Sequence, residues 1–324
     1  MEEDRKLYPF RFCSLKDEYS WGSEEFVLAD LGYRDSLVRS GWLAGNSIGE
    51  IMDMYVDRVT GGNTFEFWGR QFPVCIRKIC CRGKMPLRVH PDDETAGDRY
   101  DFLGKEKLWY VLRAGEDARI YAGFAHDTDA SELYPACMDN SADRLLNACI
   151  PTAGQYFRLA PGTVHAASGD VDILEIAESS PLDFCLCGWG QEVSEDEFDP
   201  SLSMIDALDF INYKAYVPQV SASSTLIDIP QFSVARMELS NPLKVSNNPD
   251  AETFAVYSCI SGAASVRIDV LGQEADFPFA EGDTVLVPAD CPDFVLLPTA
   301  PGTVILETTV PPHREQDRYL EGGS

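Results

Sequence analysis

One turn–strand–turn phrase occurs twice in this chain, and it restricts what the chain can fold into more than any other feature. Gly154-Gln155-Tyr156-Phe157-Arg158-Leu159-Ala160-Pro161-Gly162 runs from a Gly turn through a short apolar strand to a Pro turn. Glu281-Gly282-Asp283-Thr284-Val285-Leu286-Val287-Pro288-Ala289 repeats the scheme 128 positions later, Gly282 answering Gly154. Gly and Pro punctuate and the run between them is too short for a helix, so both copies read as strands of two β-structures of one kind. The first copy is followed by His165; the second has no histidine at that place, which assigns the C-terminal half a structural role.

The rest of the chain agrees with a β reading. Phe72 to Cys81, Leu108 to Leu112 and Ala118 to Phe124 are short, apolar and bounded by Gly, Pro or charges. Ser47-Ile48-Gly49-Glu50 has the form of a capping box, and Ile48, Ile51, Met52 and Tyr55 follow at helical spacing until Gly61-Gly62. A helical excursion is expected between Asp127 and Cys149, with Leu133, Leu145 and Leu146 buried, and a second helical face carries Met204, Ile205, Leu208 and Ile211. The region before residue 47 reads as irregular. The fold class is mainly β: two jelly-roll barrels of the cupin type with a few inserted helices. The linker-like Val217-Pro218-Gln219-Val220-Ser221-Ala222-Ser223-Ser224-Thr225 divides residues 1–216, which carry the site, from 226–324.

Charge narrows the partners. With 26 Lys and Arg against 53 Asp and Glu, the net charge is −27, which repels nucleic acid and anionic membrane surfaces at long range. The acidic stretch Glu192 to Asp199 reads as a solvated loop. No run approaches the roughly 20 apolar residues of a membrane span, and no signal-like segment opens the chain, so a cytoplasmic protein is expected. Its ten cysteines are expected as free thiols rather than a disulfide framework.

Two motifs carry the chemistry. In a strand, residues i and i+2 share a face, so Arg88 and His90 point one way, as do Lys105 and Lys107. His165, from another strand, can meet them. The chain has four histidines, at 90, 126, 165 and 313. Two of them in one barrel read either as ordinary hydrogen-bonded residues or as part of a metal site, for which a third ligand is missing.

Met85-Pro86-Leu87-Arg88-Val89-His90-Pro91-Asp92-Asp93-Glu94 resembles the Gln-x-His-Pro-Asp-Asp-Glu signature of the mannose-6-phosphate isomerase family. Gly104 to Leu112 resembles its Gly-Lys-Thr-Glu-x-Trp-Tyr strand and Pro161 to Ala166 its Pro-x-Gly-Thr-x-His-Ala loop. Tyr19-Ser20-Trp21-Gly22, Leu174-Glu175-Ile176 with Ser179-Ser180, and Gly188-Trp189-Gly190 extend the likeness over residues 8 to 310. The family interconverts mannose 6-phosphate and fructose 6-phosphate through an enediol, using zinc held by Gln, two His and a Glu. The resemblance implies that His90 and His165 are the retained metal-ligand positions, while Arg88 stands at the Gln position, Lys107 at the Glu position, and Cys185 at the position of a catalytic Arg. Lys105 matches a substrate-contacting lysine. A charged guanidinium or ammonium offers no lone pair to a metal. Three readings follow: a metal-poor, diverged member that binds a sugar phosphate or similar small anion through Arg88, Lys105 and Lys107; an active zinc isomerase with altered ligands; or a structural, partner-binding protein whose cations pair with carboxylates such as Glu175.

Overall fold

Apolar runs bounded by turns become strands, and strands dominate the computed structural model, which describes residues 5–191, 193, 197–199, 201–218, 223–246, 253–270 and 273–311. Among the described residues the strands form four sheets. The chain divides into two compact units, one built from Leu15–Phe26 and Cys75–Val220, the other from Met1–Ser14, Val27–Val74 and Ser221–Ser324. The linker predicts a division into two consecutive segments; here the early segments 1–14 and 27–74 group instead with the C-terminal one. The linker itself lies partly outside the described residues, as does His313.

The unit centred on Cys75–Val220 contains a six-stranded and a five-stranded sheet. The first runs in the order Tyr156–Leu159, Lys107–Ala114, Val171–Glu178, Val74–Cys81, Gly22–Leu28, Leu15–Tyr19. The second runs Phe184–Cys187, Leu87–Val89, His165–Ser168, Arg119–Phe124, Leu146–Cys149. One hydrophobic cluster, including Trp109, Val111, Leu87, Val89, Phe157 and Ile173, takes residues from both sheets. Each fully buried Leu, Ile or Phe adds about 1.5–3 kcal/mol, so this cluster fixes the frame on which the polar residues are mounted.

The other unit has a seven-stranded and a four-stranded sheet with a separate cluster around Tyr257, Val266, Phe279, Val285 and Ile305. The two copies of the repeated phrase form Tyr156–Leu159 and Thr284–Val287, one in each unit. The helix Ile48–Thr60 starts at the expected cap: Ser47 Oγ accepts the Glu50 N–H, the Glu50 carboxylate accepts the Ser47 N–H, and Gly61 ends it with φ 83°.

Three expectations change. The region before residue 47 is not irregular: Phe10–Cys13, Leu15–Tyr19, Gly22–Leu28 and Leu37–Val38 are strands. Leu15–Tyr19 is an edge strand whose charged sequence hides its alternation. Within the helical excursion only Ala130–Met138 is α-helix; Leu133, Leu145 and Leu146 are buried as expected, but Leu146 opens a strand. The Met204 patch yields a single turn, Met204–Ala207, with Ile205 exposed and Ile211 buried beyond it.

Candidate functional site

The strand Lys107–Ala114 sets the site by its period of two. Lys107 and Trp109 share a face with Lys105, which precedes the strand, while Glu106 turns away and binds Arg158 at 2.6 Å. Gly104 admits the approach of this segment to the helix Asp93–Tyr100, since a Cβ there would lie 2.4 Å from the Asp92 carbonyl carbon. Asp183 receives both lysines, Lys105 Nζ at 3.0 Å on Oδ2 and Lys107 Nζ at 2.9 Å on Oδ1. Glu175, which lies opposite Trp109 on the neighbouring strand, accepts the Trp109 indole N–H at 2.7 Å and lies 3.6 Å from Lys107 Nζ.

Arg77 and Arg88 complete a network. Arg77 donates to Glu175 at 2.6 Å and Glu24 at 3.0 Å and lies 3.5 Å from Asp183. Arg88 donates to Glu24 at 2.7 Å and Glu197 at 2.6 Å, with its guanidinium over the rings of Trp21 and Phe198. The Trp21 indole N–H also donates to Glu197. Four cations, Arg77, Arg88, Lys105 and Lys107, thus face four carboxylates, Glu24, Glu175, Asp183 and Glu197, in a nearly water-free place. The expected cationic cluster is therefore charge-balanced. Glu197 corrects the reading of residues 192–199 as solvated: its side chain is 3% exposed, although Glu192 and Ser194 to Asp196 lie outside the described residues.

The two histidines meet beside this network, ring centroids 5.1 Å apart, both wholly buried. His165 lies opposite Arg88 in the ladder, and its Nδ1 is 2.9 Å from the Thr163 carbonyl oxygen. Among the described residues, His165 Nε2 and both nitrogens of His90 have no hydrogen-bond partner. Burial, then the Lys107 charge, lowers His165 to about 3 and His90 well below the ordinary histidine value, so both are neutral. Burial also lowers Lys107 to about 8 against the pull of Asp183 and Glu175. For Glu175 and Asp183 burial acts upward, but the surrounding cations more than offset it and hold both below the usual carboxylate range. Cys185, opposite Arg88 in the ladder, has its thiol pushed up to about 12 by burial. Among the described residues no group of three or more His, Cys, Asp or Glu is arranged to hold a metal ion.

The sequence reading thus brought together Arg88, His90, Lys105, Lys107, His165 and Cys185, with Glu175 as a pairing partner, and missed Glu24, Arg77, Asp183 and Glu197. Arg77 had a local signal: a charge inside the apolar run Val74-Cys75-Ile76-Arg77-Lys78-Ile79, where charges are buried only when paired.

The mainly β fold is the cupin-like one of solved phosphomannose isomerases. The crystal structure of mannose 6-phosphate isomerase from Bacillus subtilis superposes with a TM-score of 0.78 at 20% identity, covering 93% of this chain and 99% of that one. A putative mannosephosphate isomerase from Archaeoglobus fulgidus gives 0.72 at 19%, covering 94% and 98%. In sequence, mannose-6-phosphate isomerase ManA of Bacillus subtilis is 24% identical over 315 residues, 89% of this chain and 95% of the relative, and the Streptococcus mutans enzyme is 22% identical over 226 residues, 67% and 68%. No family model matches. Over most of its length the chain is similar in sequence and in fold to mannose-6-phosphate isomerases.

Proposed function

We propose that this chain is a metal-free, diverged member of the mannose-6-phosphate isomerase family that keeps the scaffold and has given up the zinc-dependent isomerisation. One observation carries the reading: Lys107, without solvent exposure, holds its ammonium 2.9 Å from Asp183 at the position where the resemblance puts a zinc-binding carboxylate. The donor set supports it. A zinc site takes three or four protein ligands, and here two imidazoles stand beside a guanidinium and an ammonium, neither of which has a lone pair to give while charged. Lys107, at about 8, keeps its proton at neutral pH. Like charges 4 Å apart repel by about 4 kcal/mol at an effective dielectric of 20, and a divalent ion doubles that. The residues at this place do not fit the family's zinc, and no step through a metal is derived for them. A coupled assay with mannose 6-phosphate, run with and without added zinc, is expected to give no turnover in either case; zinc-dependent turnover overturns the reading.

Binding of a sugar phosphate or similar small anion is a second reading. The three unpartnered imidazole nitrogens of His90 and His165, buried beside Lys105 and Lys107, favour it, because a buried polar atom without a partner costs about 1–3 kcal/mol. An anion must open the Asp183 pairs to enter, and Asp183, at 14%, has the most exposed side chain of the network. Saturation at about 100 Kd stabilises a fold by about 2.7 kcal/mol. A calorimetric shift with mannose 6-phosphate and with inorganic phosphate, but not with mannose, supports anion binding; no shift with any of them leaves the network purely structural.

A further inference from the structure

Within the ion-pair network, Arg88 Nε is buried and has no hydrogen-bond partner among the described residues. The ends of the guanidinium are used one by one: Nη1 donates to Glu24 at 2.7 Å and Nη2 to Glu197 at 2.6 Å. The N–H groups of Nε and Nη2 lie side by side and fit the two oxygens of a single carboxylate. Glu197 takes half of that grip, because its Oε1 accepts from Nη2 and, at 3.0 Å, from the Trp21 indole N–H. The two carboxylates on Arg88 are also mounted differently. Glu24 belongs to the strand Gly22–Leu28 and holds Arg77 as well, so it cannot leave without unpairing a second arginine. Glu197 lies outside the strands, and among the described residues Arg88 is its one cation. The neighbouring Phe198 ring covers the guanidinium at 4.9 Å. Beside Arg88 stand His165, opposite it in the ladder, and His90, two residues on. His165 Nδ1 faces the Thr163 carbonyl and so carries the proton, which leaves its buried Nε2 an acceptor, while neutral His90 offers one donor and one acceptor. Hydroxyl groups, which both donate and accept, match that set.

We propose that the Nε–Nη2 edge of Arg88 receives the carboxylate of a small polyhydroxy acid, and that Glu197 is a tethered stand-in which this carboxylate displaces. On the anion-binding reading, on which this assignment rests, charge selects the class of ligand. Four cations face four carboxylates here, and exchanging the Glu197 carboxylate for another monoanion keeps that balance. A phosphate monoester, dianionic at neutral pH, leaves a negative charge uncompensated in a nearly water-free place, where an unpaired charge is costly. The exchange also spares the rest of the network. An anion seated between Lys105 and Lys107 must part them from Asp183, whereas one seated on Arg88 parts only Glu197 from Arg88 and Trp21. The incoming carboxylate satisfies Nε, which Glu197 leaves unmet, and the hydroxyls behind it meet the imidazole nitrogens. Glu197 is thus an autoinhibitory contact: held on the same chain, it competes at high effective concentration and lowers the apparent affinity for the free acid.

The test uses the full chain and D-gluconate, a single carboxylate on a hydroxylated chain. In calorimetric titration Glu197→Ala is expected to bind gluconate about tenfold or more tighter than the wild type, because the tethered competitor is gone. Adding Arg88→Lys, which keeps the charge and loses the fork, is expected to weaken that binding by about tenfold or more. In the unaltered chain, gluconate is expected to speed cleavage after Glu197 by a glutamyl endopeptidase, read by mass spectrometry of the peptide that ends there, while D-glucose leaves the rate unchanged. Mannose 6-phosphate or inorganic phosphate bound equally by the wild type and Glu197→Ala, with gluconate no better in the variant, overturns the exchange at Arg88 and leaves the anion-binding reading standing. No binding of gluconate, mannose 6-phosphate or inorganic phosphate by either chain overturns both. Where Glu197→Ala does not fold, the cleavage measurement decides: a rate after Glu197 that gluconate does not raise overturns the proposal.

Discussion

Asp183 is shared by two lysines and approached by an arginine, so it is the residue whose loss costs most. Asp183→Asn leaves Lys105 and Lys107 buried with reduced compensation, and removal of one partner from a buried pair costs about 3–5 kcal/mol. Urea unfolding is expected to show that loss, with Asp127→Asn, which breaks only the exposed pair with Lys214, leaving the midpoint unchanged. Equal effects of the two substitutions contradict the network. A second prediction concerns ligand identity: Arg88→Gln with Lys107→Glu should create a zinc-binding site with His90 and His165, read as an equimolar calorimetric titration absent from the wild type. Half of the network was legible because Arg88, Lys105, Lys107 and Glu175 sit in recognisable motifs. Glu24, Asp183 and Glu197 were not, because pairs such as Arg88 with Glu24 or Glu197 join residues more than sixty positions apart, and long-range pairing leaves no local pattern. Glu197 was further disguised by its acidic neighbours.

At the scale of elements, the repeated phrase makes a comparison possible. Gly162 closes the first copy with φ 78°, and a Cβ there would lie 2.6 Å from the Phe210 carbonyl oxygen; Gly282 opens the second with φ 87° and open space around it. Gly282→Ala is expected to cost only the left-handed strain, about 1–2 kcal/mol. Gly162→Ala adds a backbone clash three residues before His165 and is expected to cost more, with the larger drop in thermal midpoint. Equal costs would mean that the Pro161 turn is not held as described. Short apolar strands bounded by turns or charges and the helix with a capping box were readable because those signals are local. The edge strand Leu15–Tyr19 and the composition of the two units were not, since both depend on which distant segment covers which sheet.

For the whole molecule, burial of neutral histidines sets an acid limit. The unfolded chain protonates His90 and His165 as pH falls through about 6.5, whereas the fold holds His165 at about 3 and His90 well below its ordinary value. The unfolded state therefore binds more protons in this window, and stability falls with falling pH by up to about 1.4 kcal/mol per pH unit for each histidine. Glu175 and Asp183, lowered in the fold, add a loss that begins only as pH drops below about 4. Relief of the −27 charge on acidification acts oppositely, so the comparison is with a variant: His165→Gln should flatten the decline of the urea midpoint between pH 7 and 5 by about one proton's worth. An unchanged slope would show that His165 titrates alike in both states. Behind all of these stands one claim, that paired cations occupy the place where the family holds zinc. Elemental analysis of the chain purified without chelators and dialysed against zinc tests it most directly: far less than one zinc per chain is expected, and close to one zinc per chain, lost in parallel with mannose 6-phosphate turnover on chelation, overturns it.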